Sequence, residues 1–201
     1  MLLLIQSHKL ISEKVHANLQ RHLGIELHKG FFIYGNIKPD ISPYLSKIPH
    51  YVNESLSFIS NEIYHLSNTP FSKDKAFIKQ FSIQLGVITH YISDYFCHPH
   101  HDRETYKNHL IEHLKYESLL HEHIKHLPYL FDKDMYYTCK LNGNADALSQ
   151  ILEDLFNRYT CNAPSFQNDV CHALKASSSI ALLITYNAMH AKEKQPIITA
   201  A

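Results

Sequence analysis

Between His90 and Glu117 a histidine is twice followed, four residues on, by a carboxylate: His90 by Asp94, and His113 by Glu117. That spacing puts both side chains of a pair on one face if the backbone is helical, with Cβ atoms roughly 5–6 Å apart. Two such pairs on neighbouring helices would aim four nitrogen and oxygen ligands at one point, a preference of zinc and similar ions. The feature asks for helices, and for helices packed so that the pairs face each other.

Between the pairs stands Cys97-His98-Pro99-His100-His101. Ten residues of ideal helix turn through about 1000°, so His100 on an unbroken helix would face well away from His90. Pro99 has no N–H and disfavours helical geometry at His98, so the first helix should end or kink there. His100 is then free to turn back toward the ligand face, whereas His101 would stay nearer that face if the helix ran on. The spacing leaves both open.

The rest of the chain reads as helix. Residues 7–23 carry Leu10, Ile11, Val15, Leu19 and Leu23 at helical spacing, with Ser7 as N-cap and Gly24 as stop. Helical spacing returns over 50–66, from Asp74 or Lys75 to about Cys97, and over about 102–127, 134–160 and 165–194, with a turn at Asn142-Gly143-Asn144. Gly86, Ser82 and Ser93 are small enough for close helix packing. The final helix shows little obvious chemistry, and the tail beyond Pro196 is expected to fray. Residues 28–49 are broken by Gly30, Gly35, Pro39, Pro43 and Pro49 and read as a long irregular loop with Asp40 in its middle. Nothing alternates like a strand, and no repeat is present. The expectation is an all-α fold of about six helices, residues 1–201 forming one domain.

Lys plus Arg equals Asp plus Glu, a net charge of +0 that lacks the footprint of a nucleic-acid binder. Cys97, Cys139, Cys161 and Cys171 form no C-x-x-C pair and read as reduced thiols. The apolar Met1–Ile5 is too short for a signal-peptide core, and no run approaches a membrane span. A cytoplasmic protein is expected, with at most transient membrane contact.

With 17 histidines, spaced pairs also arise by accident: His22 with Glu26, His50 with Glu54, His98 with Asp102, and His100 with Glu104. Glu13-x-x-His16 and Glu62-x-x-His65 suggest a di-iron bundle but lack partner glutamates. The order of the whole set is more specific. The chain offers His8, Asp40, His50, His90-x-x-x-Asp94, His100 six residues on, then His113-x-x-x-Glu117. This resembles the zinc-dependent phospholipase C family, related to the fungal and plant zinc nucleases that cut single strands. His90-Tyr91-Ile92-Ser93-Asp94 is similar to the family's HY-x-x-D, and His113-Leu114-Lys115-Tyr116-Glu117 to its H-x-K-Y-E. The six-residue step favours His100 over His101.

The resemblance implies a multi-helix fold of that type around a cleft of two or three zinc ions. Asp40, His50, His90 and Asp94 would hold one ion, and His100, His113 and Glu117 a second. His8 and a bridging Asp94 would contribute to a third. Secreted family members complete the third site with an N-terminal tryptophan, and this chain has no Trp. The implied activity is phosphodiester hydrolysis by metal-bound hydroxide, with Asp40 orienting or deprotonating the water and a phospholipid or other phosphodiester as substrate. The toxin branch's separate lipid-binding β-domain is not expected. Two other readings stand beside this one: a metal-binding helical protein without turnover, and a phosphohydrolase built on the His101-Asp102 doublet.

Overall fold

Among the described residues, the apolar spacing becomes helices. In the computed structural model, which describes residues 5–101, 110–126 and 145–191, the chain forms α1 (Ile5–Leu23), α2 (Lys29–Ile41), a short 3-10 turn (Leu45–Lys47), α3 (Val52–Ser67), α4 (Lys75–Tyr95), α5 (His98–His101), α6 (Leu110–His126), α7 (Ala145–Thr160) and α8 (Phe166–His190). The fold is all-α, with no strand among the described residues. Residues 102–109, 127–144 with the expected start of the 134–160 helix and its 142–144 turn, and 192–201 with the end of the 165–194 helix and the tail beyond Pro196 lie outside the described residues.

The termini of the helices have clear causes. Asp74 caps α4 by accepting from the backbone N–H groups of Ala76 and Phe77 at 2.9 and 3.0 Å. Ser165 caps α8 by accepting from Asn168 N–H at 3.1 Å. Gly24 stops α1 with a φ of 62°, where a side chain would be strained. Ser7 is not the cap the sequence suggested. It lies inside α1, where its hydroxyl meets His121 Nδ1 at 3.0 Å.

The main departure is α2. Residues 29–41, expected as loop, are helix, because tertiary packing overrides the local breakers. A Cβ on Gly35 would come within 2.2 Å of the Ile83 carbonyl oxygen, and one on Gly86 within 2.4 Å of the Phe32 carbonyl oxygen. Backbone therefore lies on backbone where α2 crosses α4, and the glycines that looked like punctuation are contact residues. Pro39 sits near the C-terminal end of α2, where it forfeits one hydrogen bond rather than a helix. Asp40 is thus on a helix, four residues after Asn36.

One hydrophobic cluster runs from Ile11 to Ala188, with Tyr91, Tyr95 and Phe96 fully buried in it. α8 packs against α1, α3, α4, α6 and α7. Its small face allows this: Ser178 accepts from Asn18 Nδ2 at 3.0 Å, and Ser177 donates to the Thr89 carbonyl at 3.3 Å.

Candidate metal centre

α4 brings two candidate donors to one face. Its last two turns carry His90 and Asp94, both fully buried. The close α2–α4 crossing sets the Asn36 carbonyl 2.7 Å from His90 Nδ1. A carbonyl can only accept, so Nδ1 carries the proton and the Nε2 lone pair points into the cleft. That Nε2 lies 3.3 Å from Asp40 Oδ1 and 3.4 Å from Asp94 Oδ2.

His8 enters from α1 by the same logic. The Ser93 hydroxyl gives its hydrogen to the His90 carbonyl at 2.7 Å, which leaves its oxygen to accept from His8 Nδ1 at 3.3 Å. His8 Nε2 then faces Asp94 Oδ1 at 3.2 Å. The His8 ring stacks on His90 with centroids 3.9 Å apart. His50, just before α3, places Nδ1 3.5 Å from Asp94 Oδ2.

The second group is built on α5 and α6. α4 ends at Tyr95, and Pro99 stands in the first turn of α5, where a missing N–H costs nothing. His100 Nε2 reaches Glu117 Oε1 at 3.3 Å, and His113 Nε2 reaches the same oxygen at 2.9 Å. The side chain of His101, and the His101-Asp102 doublet with it, lies outside the described residues. The two groups adjoin: the His50 and His100 rings are 6.4 Å apart.

Three sets of donors could hold a metal ion: His8, His90 and Asp94; Asp40, His50 and His90; and His100, His113 and Glu117. Nine of the twelve buried side-chain polar atoms without a hydrogen-bond partner among the described residues belong to this cleft. They are Nε2 of His8, His50 and His90, both oxygens of Asp40 and of Asp94, His100 Nδ1 and Glu117 Oε2. Buried polar groups are ordinarily satisfied, and buried charge is costly unless paired or bound to metal. Lone pairs facing carboxylates need a cation or protons between them. The donors are all imidazole and carboxylate, a set that suits zinc.

The electrostatics show what the cleft does with protons in the absence of metal. Burial is the main reason the Asp40 carboxyl is pushed up to about 7, with His8 opposing and Asp94 and Glu117 reinforcing. Burial presses the His8 imidazole down, but Asp94, Asp40 and Glu117 outweigh it and its pKa is raised. Burial takes His50 down to about 4. Burial also opposes the Asp94 charge, yet the surrounding imidazoles of His90, His8 and His100 hold its carboxyl well below the usual carboxylate range.

A cavity of about 220 Å³ opens onto the cleft, lined by Asp40, His50 and His100 together with Ser46, Ile48, Pro49 and Tyr51. A larger one, about 440 Å³, lies among Gly24–His28, Phe71, Lys73 and Ile78 and contains none of the three donor sets. The donor atoms, not the volume, locate the site. The parts of Asn36 and Ser93 were missed by the sequence reading: Asn36 acts through its backbone carbonyl, and Ser93 was read only as a small residue for close packing. Cys97, Cys161 and Cys171 are free thiols, and Cys139 lies outside the described residues. Among the described residues no helix is long and apolar enough to cross a membrane.

A family model described as zinc dependent phospholipase C matches residues 7–166. No curated protein and no solved structure matches the chain.

Proposed function

The chain belongs to the zinc-dependent phospholipase C family, and from that premise we propose that it is a zinc-dependent phosphodiesterase cleaving a phospholipid or a related phosphodiester. The observation that carries this reading is the convergence of unpartnered buried imidazole and carboxylate atoms beside an open cavity. Asp40, His50, His90 and Asp94 would hold one ion, and His100, His113 and Glu117 a second. His8 with Asp94 would contribute to a third. Residues 1–201 are read as one domain around this cleft.

Bound zinc supplies a water that ionises near neutral pH and positive charge for phosphate oxygens. The chain's own residues supply the rest. Asn36 and Ser93 fix the tautomers of His90 and His8, so that Nε2 of each is available as a donor to metal. Asp40 lines the cavity, which supports giving it the role of orienting the attacking water or taking its proton. Ile48, Pro49 and Tyr51 line the same cavity.

The test is hydrolysis of a short-chain phosphatidylcholine and of a chromogenic phosphodiester, before and after chelation and again after zinc is restored. Hydrolysis that falls with chelation and returns with zinc is the expected result. Folded, zinc-loaded protein that cleaves neither these nor a wider panel of phosphodiesters would make it a metal-binding helical protein without turnover.

A further inference from the structure

α8 carries a buried acid that the proposed chemistry does not use. Asp169, in the first turn of that helix, is 0% exposed. Three donors converge on it. The His98 backbone N–H donates to Oδ2 at 2.7 Å, the Tyr116 hydroxyl to the same Oδ2 at 2.8 Å, and the Tyr159 hydroxyl to Oδ1 at 2.8 Å. Two of the three stand beside ligands: His98 begins α5 two residues before His100, and Tyr116 directly precedes Glu117. One oxygen therefore ties α5 and α6 to α8.

α5 needs such a tie. It is four residues long, too short to hold its own register, and His100 N–H reaches back only to the Cys97 carbonyl at 2.9 Å. His100 on α5 and Glu117 on α6 meet at 3.3 Å, so the spacing of the two helices sets this pair. We propose that Asp169 is a positioning residue for the His100–His113–Glu117 metal group, setting the spacing of α5 against α6 through His98 and Tyr116. This rests on the zinc reading above. The charge of the carboxylate matters: it strengthens the bonds that Oδ2 accepts from His98 and Tyr116, and a neutral amide of the same size gives that strength up.

The test is titration of the metal-free full chain with cobalt(II), whose visible spectrum reports coordination, in the wild type and in Asp169→Asn, Glu117→Gln, Tyr116→Phe and Tyr159→Phe. Glu117→Gln marks the spectrum of the second group. Asp169→Asn is expected to weaken that same component about 10- to 100-fold and leave the other component unchanged. Tyr116→Phe should weaken it less, and Tyr159→Phe, on α7 with no ligand, should leave it as in the wild type. Asp169→Asn with wild-type affinity and spectrum would overturn the proposal. If Asp169→Asn does not fold, the tyrosine pair decides: loss with Tyr116→Phe alone supports the role, and any other pattern overturns it. Wild-type protein that takes up no cobalt overturns the zinc reading and this one together, whereas normal wild-type loading with an unchanged Asp169→Asn overturns this one alone.

Discussion

The two halves of the cleft are oriented by different means. In the His8–Asp40–His50–His90–Asp94 half, His90 and His8 are set by neighbours on the crossing helices themselves, the Asn36 carbonyl and the Ser93 hydroxyl. In the His100–His113–Glu117 half, no such partner holds the His100 ring among the described residues, where its Nδ1 is buried without one, and the spacing of α5 and α6 is tied through Asp169, 71 residues along the chain from His98 and 53 from Tyr116. A close helix crossing can orient ligands locally, whereas a short helix needs a remote anchor. Perturbations of one half should therefore leave the other loaded.

The largest effect is expected from Asp94→Asn. Asp94 faces His8, His50 and His90 at 3.2, 3.5 and 3.4 Å, so its loss removes the shared anion of the first half. Hydrolysis should fall by more than about 100-fold, beyond what loss of a supporting partner costs, and metal content should drop while His100, His113 and Glu117 keep theirs. Loss of all metal in folded protein would erase the division into halves.

Gly86→Ala should come next. Its Cβ would stand 2.4 Å from the Phe32 carbonyl oxygen and 2.8 Å from Asn36 N, so α2 must move away from α4. Overpacking of this kind costs about 1–3 kcal/mol, measurable by urea unfolding. The same shift should weaken metal at Asp40 and His90 and spare the second half. Unfolding unchanged from the wild type would mean that the crossing is not as tight as the glycines make it.

How much of this could be read beforehand follows from the same geometry. The helical histidine–carboxylate pairs on α4 and α6 were legible because a four-residue spacing is a local property of the backbone, and the all-α fold followed from apolar periodicity. α2 was not legible. Gly35 and Pro39 carry the local signature of a loop, and only the face of α4 shows that Gly35 is there to let backbones touch. Asp169 was invisible for a related reason, since its three donors come from distant stretches. The order of the eight proposed ligands was readable from one line of sequence. Which ligand faces which required the fold.

A pH series sharpens the contrast from the side of the first half. Without metal, Asp40 is raised to about 7 and His8 is raised above 6.5. Each binds its proton more readily in the folded protein. The stability they add is complete below about 3.9 for Asp40 and about 6.5 for His8, and it is lost as pH rises through the folded values. His50, lowered to about 4, acts oppositely, and its contribution is already complete above about 6.5. Chelated protein should therefore lose melting temperature as pH rises from about 6.5 through the raised values of Asp40 and His8, and zinc should abolish that loss because it displaces the same protons. A chelated protein that gains stability over this range would contradict the assigned protonation.

The smallest effect is expected from Ser93→Ala, which removes the acceptor of His8 Nδ1 without touching a ligand. About 10-fold weaker metal binding in the first half is expected, by competition with a chromogenic chelator. No change would leave His8 oriented by its stack on His90 alone.

The most direct test of the central claim is zinc content by mass spectrometry on untagged, folded protein, in the wild type, Asp94→Asn and Glu117→Gln. Two or three zinc ions per wild-type chain are expected, with each variant losing metal from its own half only. A folded wild-type chain that holds no zinc and takes none up on addition would contradict the account.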